Sequence, residues 1–157
     1  MIIQAITPER RKEVNTLLKN KWNCPPIVSR GRALDATTFP GFISLHNNKI
    51  SGLVTYNIEH NECEIVTLDS FEKNKGIGTA LINSVLAVAK ENACHRLWLI
   101  TTNDNINAIR FYQRRGFDLV AIYFNAIEQA RKIKPSIPLT GMDDIPIKHE
   151  LEFEIRL

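Results

Sequence analysis

The sequence is short of cysteine, and the three it has, Cys24, Cys63 and Cys94, form no CxxC pair. An odd count without that spacing indicates neither a disulfide framework nor a zinc site, and fits buried free thiols in a reducing compartment. Long apolar runs are missing too. Val85 to Ala89 falls far short of the roughly 20 residues that span a bilayer. The N-terminal MIIQAITPERRKE lacks the apolar core and cleavage site of a signal peptide. Strong charge of one sign is also absent: 20 basic against 17 acidic residues give +3, with no basic block. That distribution argues against a nucleic-acid partner. The expectation is one domain over residues 1–157, cytoplasmic and not membrane-bound, with no linker, repeat or low-complexity stretch.

Hydrophobic periodicity orders the chain. Ile2 to Ile6 reads as a strand that ends at Thr7-Pro8, a hydroxyl cap before a proline at the first helical position. Val14, Leu17 and Leu18 mark the buried face of the helix that follows. From Asn23 to Pro40, three prolines, one glycine and Ser29-Arg30-Gly31-Arg32 predict a loop with a short helical turn. Phe42–His46, Lys49–Glu59 and Glu62–Ser70 form an antiparallel meander turned at Asn47-Asn48 and His60-Asn61. Ile77, Leu81, Val85 and Val88 then repeat at helical spacing, and Arg96–Thr101 is a buried strand. Asp104 is placed to cap a helix from Asn105 to Arg115, with Gly116 just past its end. Phe117–Phe124 is a strand, and Asn125 with Glu128 matches a capping box for a short helix. After a proline-rich loop, Lys134–Pro146, the last strand (Lys148–Leu157) alternates Leu151, Phe153, Ile155 and Leu157 with Glu150, Glu152, Glu154 and Arg156. It reads as half-buried, with an edge through which two copies could pair as a homodimer. The fold class is α/β.

Chemistry concentrates in ECEIVTLDSFEKNKGIGT, Glu62 to Thr79. A strand runs into a basic, glycine-containing turn that opens a helix, and such a turn binds anions through free N–H groups and the helix dipole. Gly76 and Gly78 leave the backbone open to a phosphate, and Lys73 and Lys75 add charge. A Walker loop is excluded because no GxxxxGK run exists. A Rossmann fingerprint is disfavoured because Leu81 stands where its third glycine belongs. Close helix packing is the other reading of the two glycines.

Asn105-Ile106-Asn107-Ala108, Phe111-Tyr112 and Gly116-Phe117 complete an N-x-x-A-x-x-F-Y-x-x-x-G-F pattern about 30 residues later. With both parts in this order, nearly the whole chain resembles the GNAT superfamily of N-acetyltransferases. Lys73-Asn74-Lys75-Gly76-Ile77-Gly78 matches that family's Q/R-x-x-G-x-G/A pyrophosphate loop, with Lys73 in place of Gln or Arg. The lysine keeps the charge and loses the planar fork.

The resemblance implies a central mixed, mostly antiparallel twisted sheet of about seven strands. It is splayed between the fourth and fifth (62–70 and 96–101), with helices on both faces. Acetyl-CoA is the implied co-substrate, with no metal. Its pantetheine arm would lie in the splay against Val66, Thr67 and Leu68, and its pyrophosphate on residues 73–79, Thr79 included. Asn105 matches an asparagine near the pantetheine arm, with helix capping an equal reading. Tyr112 matches a tyrosine beside the thioester sulfur, where a phenol can protonate the leaving thiolate. Glu64 is the implied base, with Glu62 and His60 as runners-up. Arg30 and Arg32 fall where such proteins build the acceptor pocket, either binding an acceptor anion or lying solvated. The implied reaction is direct transfer of acetyl to a primary amine, on a small molecule or a peptide. Two rivals stay open: a non-catalytic acetyl-CoA sensor, and an acyltransferase acting on a protein amine or with another acyl group.

Overall fold

A computed structural model describes residues 1–157. Strand β1 (Ile2–Ala5) gives way to helix α1 (Pro8–Trp22), whose first position is the proline. Proline is tolerated there because an N–H at that position would have no helical partner. The Thr7 side chain makes no cap; its carbonyl takes the Arg10 N–H instead.

Residues 23–40 correct the sequence reading. Besides a 3-10 turn at Ala36–Thr38 they hold a separate hairpin, β2 (Ile27–Ser29) and β3 (Arg32–Leu34). Its two-residue loop is Arg30-Gly31, both at positive φ (53° and 74°), the geometry that matches strand twist. The meander follows as expected: β4 (Gly41–His46), β5 (Lys49–Glu59) and β6 (Glu62–Ser70). Next come α2 (Ile77–Glu91), β7 (Arg96–Thr102), α3 (Ile106–Arg114), β8 (Asp118–Tyr123) and α4 (Ala126–Ile133). A second 3-10 turn, Met142–Asp144, interrupts the loop before β9 (Glu150–Arg156). No helix is long and apolar enough to cross a membrane.

Asn125 does not form the expected capping box. It sits at φ 58° with no side-chain cap, and its own N–H donates to His149 Nδ1. Asn105 caps α3 by accepting the Ala108 N–H, while Asp104 accepts from Thr102 Oγ1.

The main sheet has seven strands in the order β1-β4-β5-β6-β7-β9-β8. Only β6 and β7 are parallel, and they pair over just Glu62↔Arg96, Cys63↔Leu97 and Glu64↔Trp98. Beyond Glu64 the two strands separate, which is the expected splay. Close by, Thr55 faces Thr67 while Tyr56 faces Ile65, so Val66 is bulged out of the β5–β6 ladder. The last strand is not an edge. β9 lies between β7 and β8, and both its faces are covered, with Glu150 and Glu152 buried alongside Leu151 and Phe153. The edges are β1 and β8.

The core is two-sided. Leu81, Val85, Leu97, Phe117 and Phe153 pack on one face under α2 and α3. Val14, Leu18, Ile43, Leu53 and Val66 pack on the other under α1. A small satellite of Ile127, Ala130 and Ile147 seats α4.

Candidate active site

Two cavities flank the splay. The first, about 550 Å³, is walled by the turn before α2 and by α3. Residues 73–79 all line it. Gly76 stands at φ 70° as the cap residue, and the first backbone bond inside α2 is Ala80 N–H to Gly76 C=O. The N–H groups of Ile77, Gly78 and Thr79 are therefore without helical partners, as a phosphate site requires.

The two glycines differ in purpose. A Cβ on Gly76 would meet nothing within 4 Å, whereas one on Gly78 would lie 2.8 Å from Phe111 Cζ. Gly78 thus serves the close approach of α2 and α3, and Gly76 the left-handed turn. Arginines missed in the sequence reading complete the cavity: Arg110, Arg114 and Arg115. Arg115 is fixed, donating to Thr79 Oγ1 at 2.9 Å and stacking 3.6 Å over the Phe111 ring. The four-residue spacing of Arg110 and Arg114 on one helix was a readable signal.

Tyr112 also lines this cavity, wedged edge-on between Phe111 and Phe117 at 5.3 Å from each. Burial pushes its phenol above the ordinary 10, with a smaller push from Asp69. The hydroxyl therefore stays protonated and available as a donor. Leu68 lines the same space, but Thr67 does not: its hydroxyl is buried 2.6 Å from that of Thr55.

The second cavity, about 340 Å³, lies on the opposite sheet face, bounded by β2, β6, β7, α4 and the loop before β9. Val66, assigned to the cofactor by resemblance, opens onto this side. Asn105 lines both cavities, and its side-chain oxygen is the α3 cap at 3.2 Å, which is the capping reading of it.

Glu64 lines this second cavity and is 3% exposed. Ser29 Oγ donates to one oxygen at 2.7 Å and Arg32 Nη2 to the other at 2.7 Å. Burial raises its pKa, while Arg32 and Ser29 oppose the rise. Arg32 is thus committed to Glu64 and lies 5.3 Å over the Trp98 ring. Arg30 stacks 3.3 Å over Tyr123. Arg32 is therefore not a loosely solvated loop residue, while Arg30 is exposed in the β2–β3 turn. The runner-up Glu62 pairs with Arg96 at 3.0 Å, and His60 sits at φ 54° in the β5–β6 turn; neither lines either of these two cavities.

Further residues of the second cavity escaped the sequence reading. Ser29 and Glu150 are buried, and Lys134 Nζ donates to the carbonyls of Trp22 and Pro26 at 2.7 Å each. All three cysteines are buried and free. Burial pushes the Cys63 thiol up to about 12 and raises Cys24 and Cys94. None has the lowered pKa of a nucleophile.

A model of the acetyltransferase (GNAT) family matches residues 9–117. The uncharacterized protein YdhI of Bacillus subtilis (strain 168) is 43% identical over 133 residues, 84% of this chain and 83% of that one. An IAA acetyltransferase from Bacillus cereus ATCC 14579 superposes with a TM-score of 0.74 at 18% identity, over 99% of both chains. A GNAT family acetyltransferase from Elizabethkingia anophelis with acetyl-CoA bound superposes with a TM-score of 0.70 at 18% identity, over 99% of this chain and 97% of that one.

Proposed function

The chain belongs to the acetyltransferase (GNAT) family, and from that premise we propose that it transfers acetyl from acetyl-CoA to a small primary amine by direct attack. The observation that carries this reading is the placement of the two cavities. They lie on opposite sheet faces, flank the stretch where β6 and β7 part, and are both lined by Asn105. Acetyl-CoA would occupy the first, with its pyrophosphate on the 77–79 N–H groups and its arm in the splay. The amine would enter from the second. The structural neighbour holding acetyl-CoA supports that assignment of the cofactor.

In this reading the amine nitrogen attacks the thioester carbonyl, a C–N bond forms, and the C–S bond to CoA breaks. Backbone N–H groups freed at the Val66 bulge would stabilise the oxyanion. Tyr112 would give its proton to the leaving thiolate and regain one, through water, from the nitrogen as the amide forms. Glu64 would take the ammonium proton through water, because each carboxylate oxygen keeps a lone-pair site beyond its bond to Ser29 or Arg32. The buried, high-pKa thiols favour direct transfer over an acyl-cysteine. The cavity of about 340 Å³ suits a small acceptor better than a folded protein. Three free thiols suit a cytoplasmic location.

The test is thiol release from acetyl-CoA across a panel of alkyl amines, arylalkyl amines, amino acids and free peptides. At least one amine should give turnover. Tyr112→Phe should lower kcat by roughly 10²-fold while acetyl-CoA binding holds. Binding of acetyl-CoA with no amine-dependent thiol release would leave a sensor module instead.

A further inference from the structure

Around the β6–β7–β9 end, β6 contributes Glu62 and Glu64 and β9 contributes Glu150, Glu152 and Glu154 to the sheet face that carries the second cavity, five carboxylates in all. Four of them are ion-paired with an arginine, three sharing the single guanidinium of Arg96. Arg96 pairs with Glu62 at 3.0 Å, Glu152 at 2.8 Å and Glu154 at 3.0 Å. Arg32 pairs with Glu64 at 2.7 Å. Glu150 has no ion pair. Its one polar partner is the backbone N–H of Arg30, at a long 3.4 Å. The guanidinium groups nearby are engaged elsewhere, Arg32 with Glu64 and Arg30 over the Tyr123 ring.

Yet Glu150 is 3% exposed and lines the cavity. A buried carboxylate without a direct ion-pair partner is unfavourable, and a cation brought to it from outside relieves that state. The rest of the cavity says what such a cation carries. Its walls are largely aliphatic, with Val66, Ile100, Ile127, Ile137 and Ile147 among them. Of the two lysines that line it, Lys134 is turned onto two backbone carbonyls and Lys21 lies 5.4 Å over the Phe71 ring.

We propose that Glu150 is the ammonium-binding carboxylate of the acceptor cavity, and that the cavity takes a monocationic primary amine with an apolar body and no carboxylate. The proposal rests on the transfer reading for its choice of an amine as ligand. An amino acid would set a second anion beside Glu150 and Glu64 and be rejected, because an unpaired like charge in a buried site is disfavoured. A polyamine would leave further charges among aliphatic side chains.

Calorimetric titration of the CoA-saturated protein with phenethylamine, hexylamine and phenylalanine tests this without requiring turnover. Phenethylamine or hexylamine should bind. Phenylalanine should bind at least about tenfold more weakly, and Glu150→Gln should weaken the amines about tenfold or more. Glu150→Asp should restore part of the loss, and CoA titration of both variants should match the wild type. Equal amine affinity in Glu150→Gln and wild type overturns the proposal. So does phenylalanine binding as well as phenethylamine, or no binding by either amine. Should Glu150→Gln fail to take up CoA, the wild type's preference for phenethylamine over phenylalanine decides. Glu150-dependent amine binding with no thiol release would sink the transfer reading and leave this one standing.

Discussion

Glu64 and Glu150 stand on one cavity wall, and both are raised above the ordinary carboxyl value of 4.5 by burial. They differ in what opposes that rise. Arg32 and Ser29 hydrogen-bond the Glu64 carboxylate, while Glu150 has the Arg30 N–H and the more distant charges of Arg30 and Arg32, set against that of Glu64. A carboxyl raised in the folded state favours folding while protonated. Its contribution is whole below the unfolded value and is lost as pH rises through the folded one. Glu150→Gln keeps the shape and has no proton to lose. Wild type and variant should therefore melt together at about pH 3.5, below both carboxyl values, and the variant should melt higher at about pH 8. Circular dichroism melts across that range check the sign. A variant that melts lower at pH 8 would mean the ionised Glu150 stabilises the apo fold, and that it needs no cation from a ligand. The residue would thus lower stability in the empty protein while strengthening the binding of an amine, a trade expected of binding groups.

At the scale of elements, the N-terminus of α2 shows two glycines meeting two demands. Gly76→Ala forces a side chain into φ 70° where nothing obstructs it, so it should cost about 1 kcal/mol of backbone strain. Gly78→Ala pushes a methyl into Phe111 on α3, and overpacking of that kind costs about 1–3 kcal/mol. It also displaces the ring on which Arg115 stacks, so acetyl-CoA affinity should fall with stability. Urea unfolding and CoA titration of the two variants check this; equal losses would mean the α2–α3 contact is looser than the 2.8 Å approach implies. These glycines, with Lys73 to Thr79, were legible in the sequence because a phosphate turn is local and its residues are consecutive. Tyr112 was singled out only by the family resemblance of the N-x-x-A-x-x-F-Y-x-x-x-G-F pattern, and the structure places it on the wall of the first cavity. The wall of the second cavity was legible only at Glu64, and only through the resemblance. Ser29 and Glu150 join it from β2 and β9, and no local period records which strands will neighbour one another. Alternation in β9 told which face meets the core but not that the opposite face is covered too. The β2–β3 hairpin was hidden for another reason: its strands are three residues each, and Pro25, Pro26 and Gly31 break the period around them.

For the whole molecule, the consequence of the splay is that the sheet is nearly two sheets. β1, β4, β5 and β6 form one run and β7, β9 and β8 another, joined by three parallel register pairs at Glu62 to Glu64. Arg96 fastens that closed end by bonding Glu62 across the seam and Glu152 and Glu154 on its own side. At the open end, residues 65–70 of β6 have no ladder partner on the β7 side. A ligand lying there replaces missing strand contacts and ties the two runs together. Binding to the folded state alone adds about 2.7 kcal/mol at a ligand concentration of 100 times Kd, which for a chain this size is a rise in Tm of roughly 5–10 °C. The rise should be accompanied by a local signature. Amide exchange should slow most at residues 65–70 and in the turn 73–79, and least at β1, far from the seam. Thermal melts and hydrogen exchange with and without acetyl-CoA supply both readings. Slowing spread evenly over β1, β4 and β6 would mean the ligand stabilises without occupying the seam, and would remove the physical basis for joining the two cavities there.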